Sequence, residues 1–336
     1  MLFAEPERIA KRGAAINFIS TLDCRRSVAI RILDAPRFHM RMACVCVAVL
    51  VISYAGCRLT SIQVAWGDHM VALLVTLAGV LPLPLYWHEK QRRDMREAAM
   101  TIPWVLILAV ILPASVDVAA RVGMPLQDAH LARLDQMFGI NVPGLKTWAT
   151  HHWLGTLIDR SYPLLLPLLP IAIFIPALTG RWKVARSFLV ANLAAFAIGL
   201  PAFALLPAVG PWYGYHLPAS PDQMHCQLEL LHLRIPGPYI FQPAGVVCFP
   251  SFHVIWAILC ARALWSFPFL RIPASLISGM IILSTMTTGW HYFSDVLAGA
   301  IVAIISIAFS ERCSRSSGIE CPQTTSLRND VFRYEA

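Results

Sequence analysis

Two short stretches of the chain hold the side chains able to do chemistry. One is Cys248-Phe249-Pro250-Ser251-Phe252-His253 at the head of an apolar run, and the other is Thr288-Gly289-Trp290-His291-Tyr292-Phe293-Ser294-Asp295 at the head of another. Asp295 stands four residues after His291, which on a helix places the carboxylate one turn along on the same face. It can accept the proton of one ring nitrogen, aim the other as a lone pair and stabilise the imidazolium formed on attack, the orienting logic of a catalytic triad. His253 has the complementary task of protonating a departing alkoxide and then acting as base for the incoming water or alcohol. With one histidine neutral and the other charged, activity is expected to be bell-shaped in pH.

The residues around the pair suit an anion. Ser251 can cap the helix that starts beside it or bond an anion, and Pro250 is tolerated in a first helical turn. The free amides and positive dipole end of that helix favour phosphate oxygens. Gly289 allows close approach of the backbone to the site, or serves as a turn or packing glycine. Either histidine alone reads as an interfacial side chain. Two of them with a carboxylate partner at matching ends of one hairpin point to function, because ionisable groups at membrane depth are costly.

The elements that must position these residues are membrane helices. Of 336 residues, 57% are hydrophobic and 14% charged, more apolar surface than one soluble core hides. A spanning helix needs roughly 20 residues with few charges, and about eight stretches qualify by that length. They are Met42 to Cys57, His69 to Trp87, Thr101 to Ala120, Ser161 to Gly180, Ser187 to Leu206, Ser251 to Trp265, Ile272 to Thr288 and His291 to Ser310. The first two read as a hairpin, and Arg121 to Arg160 is too charged to span and is expected at the interface. The expected fold is an all-α, multi-span helical membrane protein. The spans flanking the turn Pro268 to Arg271 form a hairpin whose open end holds both histidines, 38 residues apart.

The net charge of +8 lies mostly between spans, without the aromatic-interleaved basic groove that nucleic acid would need. Arg8, Lys11, Arg12, Arg25, Arg26, Arg31, Arg37 and Arg41 precede the first span. Lys90, Arg92, Arg93 and Arg96 follow the second, Arg181, Lys183 and Arg186 follow the fourth, and Arg271, Arg312, Arg315, Arg328 and Arg333 fall on the same side. That side is cytoplasmic by the positive-inside rule, so both termini are expected inside. The segments 121–160 and 206–250 and the turn before His291 then face outward, on the periplasmic face if the membrane is a bacterial inner membrane. The basic leader is too long for a signal-peptide n-region and has the composition of a disordered tail.

Of nine cysteines, Cys44, Cys46, Cys57 and Cys260 lie in spans as small apolar residues. Cys226 and Cys248 fall in the outward loop, where an oxidising compartment allows a disulfide whose geometry the spacing does not set. Magnesium-type acidic clusters are absent, and Glu229 and Asp222 lack partners at ligand spacing. Neither a metal nor a cofactor is expected.

The two stretches resemble the signature motifs of the type-2 phosphatidic acid phosphatase superfamily, which includes lipid phosphate phosphatases, haloperoxidases and inositolphosphorylceramide synthases. Its Pro-Ser-x-His motif matches Pro250-Ser251-Phe252-His253. Its motif of Ser-Arg, five residues, His, three residues and Asp matches Ser284-Thr285 through His291 to Asp295. The resemblance implies His291 as a nucleophile forming a phosphohistidine, Asp295 as its orienter and His253 as leaving-group acid. It also implies a six-helix core, here residues 101–310, preceded by an added hairpin, 42–100, and flanked by tails at 1–41 and 311–336.

Two departures stand out. Thr285 replaces the family's arginine, and the Lys-Arg-Pro motif is missing, with no Lys or Arg from Ser187 to Leu233. Arg234, Arg160 or Lys146 could replace the phosphate clamp if the outward loops fold over the site, and Arg234 is the residue assigned here. The Gly210-Pro211-Trp212-Tyr213 stretch and Thr288-Gly289-Trp290-His291-Tyr292 look like the inositolphosphotransferase branch. The expected activity is a metal-independent phosphoesterase acting on a lipid phosphate, with transfer to an alcohol as the alternative. From a different class, a transporter or a haem-binding electron carrier would use His253 and His291 as ligands. The head group, the acceptor and the oligomeric state stay open.

Overall fold

The structure is a computed structural model and describes residues 38–64, 66–240 and 247–315. The basic leader through Arg37 and the tail residues Arg328 and Arg333 lie outside the described residues. Residues His39–Glu311 form one compact unit. It is all-α apart from a two-residue parallel pairing of β1 (Ile62–Gln63) with β2 (Tyr239–Ile240).

Among the described residues five helical stretches are long and apolar enough to cross a membrane, so the protein is a multi-pass membrane protein. They are α1 (Phe38–Leu59), the pair α4 (Arg93–Ala99) and α5 (Thr101–Ala120), the pair α8 (Trp153–Asp159) and α9 (Leu165–Leu178), α10 (Trp182–Leu205), and α15 (Phe293–Arg315). The count falls short of eight for two physical reasons. Residues His69 to Trp87 do not form one rod but divide into α2 (Trp66–Val80) and α3 (Pro82–Glu89) at Pro82. Proline lacks an N–H and collides with the preceding turn. In addition, α13 (Phe252–Leu264) has 13 residues and α14 (Arg271–Thr287) has 17. They measure roughly 20 and 26 Å, against the about 30 Å of a hydrocarbon core.

The charged segment expected at the interface folds into α6 (Asp128–Met137), α7 (Val142–His151) and α8. Asn141 caps α7 by accepting from Gly144 N at 2.9 Å. Met137, Phe138 and Trp153 are exposed. The end of the segment departs from expectation, because α8 runs through a 3-10 turn (Tyr162–Leu164) into α9, and the two together make one membrane-length stretch, Trp153–Leu178. Its charges, Asp159 and Arg160, sit at the junction.

The core forms where α9, α10, α13, α14 and α15 meet, around Leu168, Phe188, Phe252, Ile255, Leu259, Ile281 and Val302. Buried Ala172, Ala195, Ala257 and Ala303 let the helices come close, the packing mode available where lipid removes the hydrophobic drive between helices. Gly299 presses on the turn before α13, where a Cβ would stand 2.6 Å from Ser251 O. The first helix docks on α5 through Ser53 Oγ and Ser115 Oγ, 2.6 Å apart. At the start of α4 and α10, buried Glu97 accepts from Arg186 at 2.7 Å and Arg96 at 2.9 Å.

Candidate active site

The α13–α14 hairpin brings the two histidines together, with ring centroids 5.8 Å apart. The chain reaches His291 through a tight reversal at the end of α14. Gly289 takes φ +80°, a conformation that favours glycine. Thr285 O accepts from Trp290 N at 3.0 Å and from His291 N at 2.9 Å. Burial is nearly complete, with His291 3% exposed and Asp295 fully covered.

Three groups converge on Asp295 Oδ2. Tyr292 N donates at 2.9 Å, Cys248 Sγ donates at 3.0 Å, and His291 Nδ1 stands 3.5 Å away. The last is an ion-pair distance longer than a good hydrogen bond, so the expected carboxylate–imidazole pair stands as a close approach rather than a formed hydrogen bond. Asp295 Oδ1 is buried and has no hydrogen-bond partner among the described residues. Burial pulls the His291 pKa down to about 4, which keeps the ring neutral near pH 7. Burial also pushes the Cys248 thiol well up, with the Asp295 charge adding to it, so the thiol remains a donor.

Two aspartates on α6 hold this arrangement from behind. Asp135 accepts from Phe293 N at 2.8 Å and Ser294 N at 2.9 Å, capping the first turn of α15, where a carboxylate suits the dipole. Asp128 accepts from Gly210 N at 2.9 Å and Val209 N at 3.1 Å, and the Tyr292 hydroxyl lies 3.0 Å from it. Desolvation raises both carboxyls, and the amide hydrogen bonds oppose it. From α12 (Pro221–Leu233), buried Gln223 donates to the carbonyls of Thr288 and Gly289 at 3.3 Å. The segment between α10 and α13 therefore braces the His291 turn.

His253 is held differently. The Tyr162 ring stacks on it at 4.5 Å and 21°, and also faces Trp290 at 6.0 Å. Trp212 meets Trp290 edge-on at 5.4 Å.

Of the residues singled out in the sequence, His253, His291 and Asp295 are brought together. Ser251 is the N-cap of α13, accepting from Val254 N at 3.4 Å and donating its own amide to Asp295 O at 3.2 Å. Pro250 lies outside the helix, joined to Phe249 by a cis peptide bond. Gly289 packs beneath the Lys146 side chain. Arg234 is placed elsewhere, its Nη2 donating to the carbonyls of Met124 at 2.6 Å and Gly123 at 3.4 Å. Thr285 is fully buried, its hydroxyl returned to Ile282 O at 2.7 Å. Cys226 and Cys248 are not joined by a disulfide.

The sequence reading missed Cys248 as a partner of Asp295, and Asp128, Asp135, Tyr162 and Gln223. Only Asp128 and Asp135 left a trace, seven residues apart and so on one face of a helix. The ligand atoms of Cys248, His291 and Asp295 lie within 4.8 Å of one another, close enough for one cation to bridge them.

No curated protein and no solved structure matches the chain. The family model for the PAP2 superfamily matches residues 129–309, a stretch that runs from α6 into α15 and holds both histidines, Asp295 and the aromatic wall. Because that match covers more than half of the 336 residues, the chain belongs to the PAP2 superfamily.

Proposed function

We propose that the protein is a membrane phosphoesterase that acts on a lipid phosphate through a phosphohistidine. The observation that carries this reading is the His253–His291 pair, 5.8 Å between rings, with Asp295 Oδ2 3.5 Å from Nδ1 of a buried, neutral His291. Nδ1–H turned to Asp295 leaves Nε2 as a lone pair. Nε2 attacks phosphorus in line, the P–O bond to the leaving group breaks, and His253 gives that alkoxide its proton. His253 then takes a proton from water, which attacks phosphorus, breaks the P–N bond and frees phosphate. An alcohol in place of water gives phosphotransfer, with the same first half-reaction.

Membrane placement supports a lipid substrate. The turn after α10 touches Tyr292 through Asp128 and Gly210, so the site lies at the end of α10 opposite its basic start, Arg181 to Arg186. The positive-inside rule then puts the site on the outer face. A helix of 13 residues, roughly 20 Å long and so shorter than the hydrocarbon core, supports a His253 near head-group depth that a lipid-borne phosphate reaches from within the bilayer.

The test is phosphate release from a panel of lipid phosphates by detergent-purified wild type and His291→Ala, with chelator present and with or without inositol. Release or transfer by wild type alone supports the mechanism. Equal activity of the two proteins would remove His291 from the role of nucleophile.

A further inference from the structure

The carboxyl groups of Asp128, Asp135 and Asp295 are buried around the His291 turn, and Asp159 Oδ1 accepts from the Thr287 hydroxyl on α14. The amides of the His291 turn are turned inward, since those of Trp290 and His291 go to Thr285 O and that of Gly289 goes to Met286 O. Transferring a phosphoryl group in a dry pocket requires fixed positive charge where its oxygens come to rest.

Most of the described cations around the outward segments are committed elsewhere. Arg121 donates to Ile235 O, Arg234 to Gly123 and Met124 carbonyls, and Arg133 to Ala129 O. Lys146 is different. It stands on α7, and its stem crosses the turn that carries His291. A Cβ built on Gly289 would stand 3.1 Å from Lys146 Cδ and 3.4 Å from Nζ. The glycine's missing side chain is the space the lysine occupies. Among the described residues its one side-chain hydrogen bond is to Pro218 O at 3.2 Å, and an ammonium has three protons to give.

We propose that Lys146 supplies the cation that binds the phosphate oxygens at the His253–His291 pair, delivered by α7 across Gly289. This rests on the phosphoryl-transfer reading above. Burial lowers the lysine's pKa while Asp159 acts to raise it, so an arriving dianion adds to a charge that the site already half-shields from water.

The experiment measures orthovanadate binding by equilibrium dialysis and kcat/KM for phosphate release on the full-length, detergent-purified chain. The proteins are wild type, Lys146→Gln, Lys146→Arg, Arg133→Gln and His291→Ala. Glutamine keeps a donor for Pro218 O but no charge, and Arg133 is an exposed cation bonded to Ala129 O within its own helix. Lys146→Gln is expected to weaken vanadate binding and kcat/KM by roughly 100-fold. Lys146→Arg should recover both to within about tenfold of wild type, with Arg133→Gln unchanged. Wild-type behaviour of Lys146→Gln, or arginine no better than glutamine, overturns the proposal, as does the loss appearing in Arg133→Gln. If wild type releases phosphate and His291→Ala does not, such a result removes only Lys146. If wild type neither binds vanadate nor releases phosphate, the phosphoesterase reading falls and the lysine's role with it.

Discussion

The two histidines are held by unlike means. His291 sits in a turn nailed down by hydrogen bonds, with Thr285 O and the carboxylates of Asp295 and Asp135 taking the amides around it. His253 projects from the first turn of α13 and is held by the face of Tyr162. Directed bonds in a buried site fix position, whereas a stacked ring resists tilting but still slides. The contrast matches the proposed division of labour. A nucleophile must keep one line of attack, while the proton carrier must serve first the leaving oxygen and then the incoming water.

Releasing the bonded side should have the largest effect. Asp135→Ala leaves the amides of Phe293 and Ser294 without their buried acceptor, and breaking such a charged network costs about 3 kcal/mol. Thermal unfolding should show a clear drop in Tm, and kcat should fall on the order of 100-fold as the His291 turn loosens. Unchanged kcat in a folded Asp135→Ala protein would mean that α6 does not position the nucleophile.

A pH profile tests the same side at the next magnitude. The His291 pKa lies at about 4 rather than 6.5, so the ring stays neutral, and able to attack, down to that value. The acid limb of kcat/KM should therefore appear near pH 4 and fall about tenfold per pH unit below it. The acid side of the bell drawn from the sequence is therefore expected outside the ordinary imidazole range. A limb centred at 6.5 would show that His291 is far less desolvated than it is here. The same depression predicts stability falling as pH drops from 6.5 towards 4, because the unfolded chain takes up a proton that the folded chain refuses.

The stacked side should yield the smallest effect. Tyr162→Leu removes a face contact worth about 1 kcal/mol, so kcat should fall about fivefold with little change in Tm, and Tyr162→Phe should behave as wild type. A loss as large as that of Asp135→Ala would erase the distinction between the two sides.

The pairing of sites across the sequence was legible because it depends on periodicity and apolar length. Spans bounded by Ser251 and Thr288 had to return to one surface, and Asp295 falls four residues beyond His291, although His291 lies in the turn before α15 rather than on that helix. The bounds of α13 were legible too, Ser251 to Trp265 in the sequence becoming Phe252–Leu264 in the structure, although 13 residues fall short of a full span. Cys248 was not legible, being a residue type most often buried as an apolar filler, whose thiol here points to Asp295.

By itself the sequence determined the membrane class, the hairpin and the trio of His253, His291 and Asp295. Those follow from local spacing and from the demand that backbone amides be bonded within each span. Only the tertiary structure decided which outer residues surround the trio. Arg234 and Lys146 lie in polar segments of similar composition, yet packing sent one to the carbonyls of Gly123 and Met124 and laid the other across Gly289. A charge on a helix outside the spans carries no record of the surface on which that helix will dock.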